Sequence, residues 1–253
     1  MKKQTIHILR ISLFLLLGVS LSFADQKATE IVRKSNNLLR GKSSFSEATL
    51  TVIKPSWKRS ITMKIWALEP DYALILITKP ARDKGTVTLK RKREVWNWIP
   101  TIRRLIKIPP SMMMQPWMGS DFTNDDLVRE SSIVEDYTHT IIGRETIGDY
   151  TCYKIRFDPK PEAGVVWGKI ITWISQKNYL MLKAEYYDED GQLIKTMTGS
   201  KIKTMGGRLL PTRWEVLPHN KPGHKTILQY KSIRFNIKLT PDFFSQQNMK
   251  RVR

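Results

Sequence analysis

The pattern that most constrains this chain is a long series of short segments, each alternating apolar with polar residues and each closed by a turn signal. In RSITMKIWAL, Ile61, Met63, Ile65 and Ala67 alternate with Ser60, Thr62 and Lys64. Glu69-Pro70-Asp71 then marks a turn into YALILIT, followed by TVTLK, EVWNWI and TIRRLIKI. After an interruption the series resumes at THTIIGRETI, CYKIRF, WGKIITWIS and YLMLKAEYY, with Gly148-Asp149 and Gln176-Lys177-Asn178 as turns. Asp190-Gly191, Gly206-Gly207 and Asn220–Gly223 lead into QLIKTMTGSKIK, RLLPTRWEVL and KTILQYKSIRFNI. Period-two alternation with Gly, Pro and Asn punctuation predicts about eleven antiparallel strands in a meander. So many strands must curl or close to protect their edges. The fold class is mainly β.

Two helices are expected beside the strands. Asp25 can cap one in which Ala28, Ile31, Val32, Ser35, Leu38 and Leu39 share a face and Gly41 ends the run. Asp121 to Arg129 can form a second, shorter one. Before them stand Lys2, Lys3 and Arg10, the apolar run Ile11 to Phe23, and small Ser22 and Ala24. This is the form of a secretory signal peptide over residues 1–24, too short to span a bilayer. Cleavage before Asp25 takes 24 of 253 residues and leaves 229, one domain over residues 25–253. It also lowers the net charge from +20 to +17, by removing three cations. An exported basic chain has an anionic membrane surface, not nucleic acid, as its first charged partner. The one cysteine, Cys152, cannot form an internal disulfide and reads as a small buried hydrophobe.

The interior is rich in large side chains. There are eight tryptophans. Alternation puts Trp96 and Trp98 on one face, and Trp167, Ile171 and Trp173 on one face. YALILIT and GKIITWIS are apolar on both faces, and a sheet of that kind needs two covers. The same residues would also serve an ordinary sandwich core. Catalytic patterns are missing: there is no HExxH, GxSxG, GxxxxGK[ST] or GxGxxG. His139, His219 and His224 are scattered, and Asp188 to Gly191 lacks the spacing of a calcium loop. The expectation is a non-enzyme with no cofactor and no metal.

The interruption is PPSMMMQPWMG, Pro109 to Gly119, with four of the ten methionines and no charge. Its prolines exclude a regular strand or long helix. Methionine is unbranched and flexible, so it fills changing apolar spaces at little strain. We read Met112, Met113, Met114, Trp117 and Met118 as an adaptable flap, with a static plug in an ordinary core as the alternative. Before it, Arg104 shares a face with Ile102, Ile106 and Ile108, which suits an amphiphile with an anionic head or, equally, a nearby carboxylate of the chain itself. KRKRE, Lys90 to Glu94, reads as a solvated turn.

SFSEATLTVIK after a short helix, then KIWALEPDYALILITKP, a basic turn and EVWNWIP, resembles the LolA type of periplasmic lipoprotein carrier. Met112–Met114 followed by GSDFTNDDL (Gly119 to Leu127) is more similar to the branch called outer membrane lipoprotein-sorting proteins. The resemblance implies a strongly curved antiparallel sheet, an incomplete barrel. An N-terminal helix and a helix/loop lid would cover its concave face. It implies a cavity for acyl chains of a lipid or lipoprotein, lined by Trp96, Trp98, Ile106, Ile108 and the flap, with Arg104 at the head group. The chain departs at Glu69, where the carrier proper has an arginine that latches the lid. Burying an acyl chain of about sixteen carbons is worth on the order of 13 kcal/mol, so a carrier must hide it and still release it. The function expected is a periplasmic carrier of lipids or lipoproteins. The alternative is a lipid-sensing or exporter-associated module with an inner-membrane partner. A hydrolase using Asp121 or Asp125 is a more distant rival.

Overall fold

A computed structural model describes residues 25–129 and 133–252; the expected signal segment lies outside the described residues. Residues 25–40 are helical (α1). Thirteen strands follow. The first six are β1 (Ser43–Lys54), β2 (Trp57–Leu68), β3 (Tyr72–Lys79), β4 (Val87–Arg91), β5 (Glu94–Ile99) and β6 (Arg104–Lys107). A connection containing the short helix α2 (Asn124–Arg129) leads to β7 (Tyr137–Ile147) and β8 (Tyr150–Pro159). Then come β9 (Lys169–Ser175), β10 (Met181–Tyr187), β11 (Leu193–Met205), β12 (Arg208–Pro218) and β13 (Lys225–Phe235). One turn of helix, α3 (Gln246–Met249), follows near the end of the chain.

All thirteen strands form one antiparallel sheet, ordered β6-β5-β4-β3-β2-β1-β13-β12-β11-β10-β9-β8-β7. It is an open, curved sheet, as the alternation requires, but it is not a simple meander. The first and last strands pair in the middle, Leu50 opposite Leu228, and each half runs outward from that pair. β6 and β7 therefore end up on opposite edges. The connection between β6 and β7 therefore joins one edge of the sheet to the other.

Both faces are apolar, and the chain covers part of each. The outer face of the β1–β6 half carries Leu74, Leu76, Leu89 and Trp96, packed under Phe244 and Met249 of the C-terminal segment. On the inner face of the other half, α1 lays Ala28, Ile31 and Val32 against Ile155, Phe157, Ile170 and Ile174. Gly41 ends α1 at φ +66°, a backbone conformation glycine adopts without strain. The Gly41 N–H donates to the Asn37 carbonyl at 3.0 Å, and Arg208 donates to the carbonyls of Asn37 and Leu38.

One face assignment follows the alternation and one differs from it. Trp96 and Trp98 do share a face, but it is the outer one. Trp167 does not lie with Ile171 and Trp173: it packs in the inner core, while Trp173 packs with Cys152. The cause is Gly168, where a Cβ would come within 2.3 Å of the Asp188 carbonyl oxygen. The strand begins only after that contact, so parity counted back from Trp173 fails. Cys152 is buried and free, and burial pushes its thiol pKa up.

His139 of β7 anchors α1. Its ring is 1% exposed. It lies 3.1 Å from the Thr29 hydroxyl and 2.9 Å from the Ile133 carbonyl, so the neutral ring accepts from the first and donates to the second. Burial lowers its pKa below the usual value; the Ile133 carbonyl works against this, Lys160 and Arg33 add to it, and Glu135 opposes. The unfolded chain therefore binds more protons at this site than the folded one between the folded pKa and about 6.5. Stability from His139 is complete above about pH 6.5 and falls as the pH drops below it. Thermal unfolding from pH 7.5 to 5 should show a smaller loss of melting temperature for His139→Gln than for the wild type. Parallel pH profiles would contradict this role.

Candidate functional site

Residues 108–129 form a strap across the concave face, and local hydrogen bonds shape it. The N–H of Asn124 donates to the Gln115 carbonyl, and that of Asp125 to the Met113 carbonyl. The Asn124 side chain donates to the Met112 carbonyl at 3.0 Å. Thr123 and Asp126 cap α2 reciprocally: each backbone N–H donates to the other's side-chain oxygen, at 2.7 and 3.1 Å. The GSDFTNDDL motif thus folds the methionine-rich stretch back on itself.

Four ties then fix the strap to the sheet. Trp117 is buried against Leu50, Met63 and Ile75, and its indole N–H donates to Thr88 Oγ1 at 3.1 Å. Arg59 of β2 donates to the Met118 carbonyl. The Asp121 carboxylate accepts from Thr226 of β13 at 2.7 Å. Asp126 accepts from Lys195 of β11 at 2.6 Å, a pair almost wholly buried, with the ammonium 4.7 Å from the ring centroids of both Trp167 and Tyr186. The strap is therefore held by strands of both halves.

Beneath strap and helix lies a cavity of about 200 Å³. Its floor follows the strand register. Ser44, Ala67, Ala73 and Lys90 make one row across β1–β4, and Ser46, Ile65, Ile75 and Thr88 make the next. The far wall brings Met181, Met197, Trp214 and Leu228, and the roof brings Leu39, Trp117, Phe122 and Asp126. Gly199 gives the wall room: a Cβ there would stand 3.0 Å from Trp214 Cζ3 and Pro211 Cβ. At the mouth, Arg40 of α1 meets Glu69 of the β2–β3 turn at 3.3 Å.

The residues expected at the site are distributed unevenly. Trp117 lines the cavity, and Met118 packs against the same cluster. Ile108 and Met113 pack with Val95 near the β6 edge. Arg104 and Ile106 share the inner face through their pairing with Ile99 and Asn97, but both are exposed. Ile102 lies in the turn before the strand, which Arg103 closes at φ +50°. Met112 and Met114 are 41% and 48% exposed. Trp96 and Trp98, on the outer face, do not reach the cavity. The methionines that line it are Met63, Met181 and Met197, on strands. Lys90 is a correction: it is not part of a solvated turn but sits 6% exposed on the cavity side, while the turn proper starts after Arg91. Glu69 is paired with a cation on the helix, so the turn bears the anion and the helix the cation. Among the described residues, no group of three or more His, Cys, Asp or Glu is placed to hold a metal ion.

A family model described as "Uncharacterized protein" matches residues 69–251, well over half of the chain. The chain belongs to that family. No match was found among curated proteins. Three solved structures share the architecture of this family member. A DUF1329 family protein from Desulfovibrio piger is 21% identical, with a TM-score of 0.82 over 89% of this chain and 99% of that one. A Vibrio parahaemolyticus domain, named for outer membrane lipoprotein sorting, is 23% identical, with a TM-score of 0.79 over 89% and 99%. A LolA superfamily protein from Nitrosomonas europaea is 22% identical, with a TM-score of 0.75 over 87% and 98%. At these identities what is common is the fold, the open half barrel that the sequence resembles.

Asp126 does three things at once: it caps α2, ties the strap and balances the charge of Lys195. Asp126→Asn leaves a buried ammonium without its partner, which costs about 3–5 kcal/mol. Urea unfolding should read that loss. A change below about 1 kcal/mol, under the range for breaking a buried pair, would show that the pair does not hold the strap.

Proposed function

We propose that this protein is a carrier that binds acyl chains of a lipid or lipoprotein under α1 and the strap and moves them between envelope membranes. The observation that carries this reading is the cavity itself: a mostly apolar pocket inside an open half barrel, roofed by segments tied down through polar contacts. Pockets that enclose whole organic ligands run from about 300 to 1,000 Å³, so a long chain needs more room than the closed form offers. Release of Arg40 from Glu69 would free the end of α1. Met63, Met181 and Met197 would adapt the wall to chains of different length. The signal-like segment over residues 1–24 supports a periplasmic site of action. The fold shared with sorting proteins agrees with this reading. Mass spectrometry of organic extracts of the purified protein tests it. Acyl lipids or lipopeptides in near-stoichiometric amount are expected. An extract without them, together with no displacement of a fluorescent fatty acid, would overturn it.

We assign the exposed flap to the membrane rather than to the cavity. Four of the eight large apolar side chains exposed among the described residues, Ile102, Ile106, Met112 and Met114, fall within residues 102–114. Exposed Arg103, Arg104 and Lys107 stand between them. Apolar side chains among cations suit the surface of an anionic bilayer, where each cation contributes about 1 kcal/mol. Here Arg104 meets head groups of the membrane, not of the cargo. In vesicle co-sedimentation, replacing Arg103 and Arg104 with Gln should weaken binding to anionic vesicles roughly 30-fold, the equivalent of about 2 kcal/mol. Equal binding to neutral vesicles would contradict the assignment. Capture of an inner-membrane protein without lipid transfer would favour the sensing module.

A further inference from the structure

Polarity inside the cavity is graded along the strands. The floor passes from Ala48, Met63 and Ile77 to Ser46, Ile65 and Ile75, and then to Ser44, Ala67 and Ala73. The last row is made of small side chains over three adjacent strands, so it leaves depth above the sheet. It ends at Lys90, opposite Ala73. Arg40 lines the same cavity and meets Glu69 at its mouth. Both cations are held by one short turn. Lys90 Nζ donates to the Pro70 carbonyl at 2.8 Å, and Arg40 donates to the Glu69 carboxylate at 3.3 Å. The turn between β2 and β3 therefore occupies, with a carboxylate and a carbonyl, the place beside two cations at the small-residue end of an otherwise apolar chamber.

Row by row, this cavity offers an apolar chamber, a step of small residues and a pair of cations gathered by oxygen atoms. An anionic group of the ligand can take the place of those oxygens, because it presents the same acceptors with a full charge. We propose that Lys90, assisted by Arg40, is the head-group site of the cargo, and that the cargo is an acyl amphiphile with a phosphate or carboxylate head. The proposal rests on the carrier reading and names the chemical class that the same site takes. The head lies over Ser44, Ala67 and Ala73, against Lys90, and the chain runs toward Trp117 and the methionines. The contact is charge-assisted, and such hydrogen bonds are about twice as strong as neutral ones. An incoming anion competes with Glu69 for Arg40, so loading and the opening of the mouth are coupled.

The test uses three amphiphiles of one chain length: hexadecanol, palmitate and hexadecyl phosphate. Each displaces a neutral fluorescent probe from the full chain. The wild type should bind at least one of the two anions about tenfold or more tightly than the alcohol, in line with a charge-assisted contact replacing a neutral one. The stronger of the two anions identifies the head. Lys90→Met, which keeps the buried volume, should lose most of that preference, read as the ratio of anion to alcohol affinity within the same variant. Lys90→Arg should keep it. Equal affinity of the wild type for alcohol and anions overturns the head-group site, as does a Lys90→Met chain that weakens all three alike. Failure of all three to bind the wild type overturns the carrier reading itself, and this site with it. The wild-type preference is read without any variant, so the test stands even where Lys90→Met fails to fold.

Discussion

The structure depends on one constraint: a thirteen-stranded sheet that is apolar on both faces and does not close. Each face needs a cover, and the same chain supplies both. The C-terminal segment covers the outer face of the β1–β6 half with Phe244 and Met249. α1 and the strap seal the inner one. Topology makes the strap unavoidable. Because β1 pairs with β13 in the middle of the sheet, the two halves grow outward, the connection from β6 to β7 has to join opposite edges, and its contacts lay it on the concave face. The cavity is what remains between that crossing and a floor of small side chains.

The two covers differ in how they are fastened. The outer one rests on apolar burial and aromatic contacts, such as Tyr72 with Phe244 at 5.5 Å. The inner one buries Ala28, Ile31, Val32 and Trp117 as well, and adds polar pins: Arg40 to Glu69, Asp126 to Lys195, Asp121 to Thr226, Trp117 to Thr88. A paired contact can be exchanged for another partner without exposing much apolar surface, whereas a packed face cannot. The arrangement therefore suits an inner cover that opens locally, at its polar pins, and an outer cover that stays. The Arg40–Glu69 pair, only partly buried, is the weaker of the two ion pairs and stands at the mouth, where opening would start.

Much of the fold is legible in the sequence. The strands follow from period-two alternation, and α1 from Ala28, Ile31, Val32 and Gly41. The β1–β13 pairing is not, since it joins segments about 180 residues apart and no local signal encodes it. The site is harder to read because apolar residues do not by themselves mark the cavity. In TVTLK the apolar positions, Val87 and Leu89, face the outer cover, and the polar ones, Thr88 and Lys90, face inward. Two apolar faces leave parity without a sign, so alternation pairs Trp96 with Trp98 but cannot say which side they take. Trp117 is legible through its place in the flap. Met112 and Met114 are its neighbours in sequence only: the turn at Met118 and the bonds from Asn124 send them outward.

A crystal structure with a chain-brominated acyl amphiphile bearing an acidic head tests the central claim most directly. The account predicts anomalous bromine density under the strap, between Trp117 and Trp214, with α1 displaced at its Arg40 end. Bromine found only on the outer surface of the sheet, with the cavity unchanged, would contradict it.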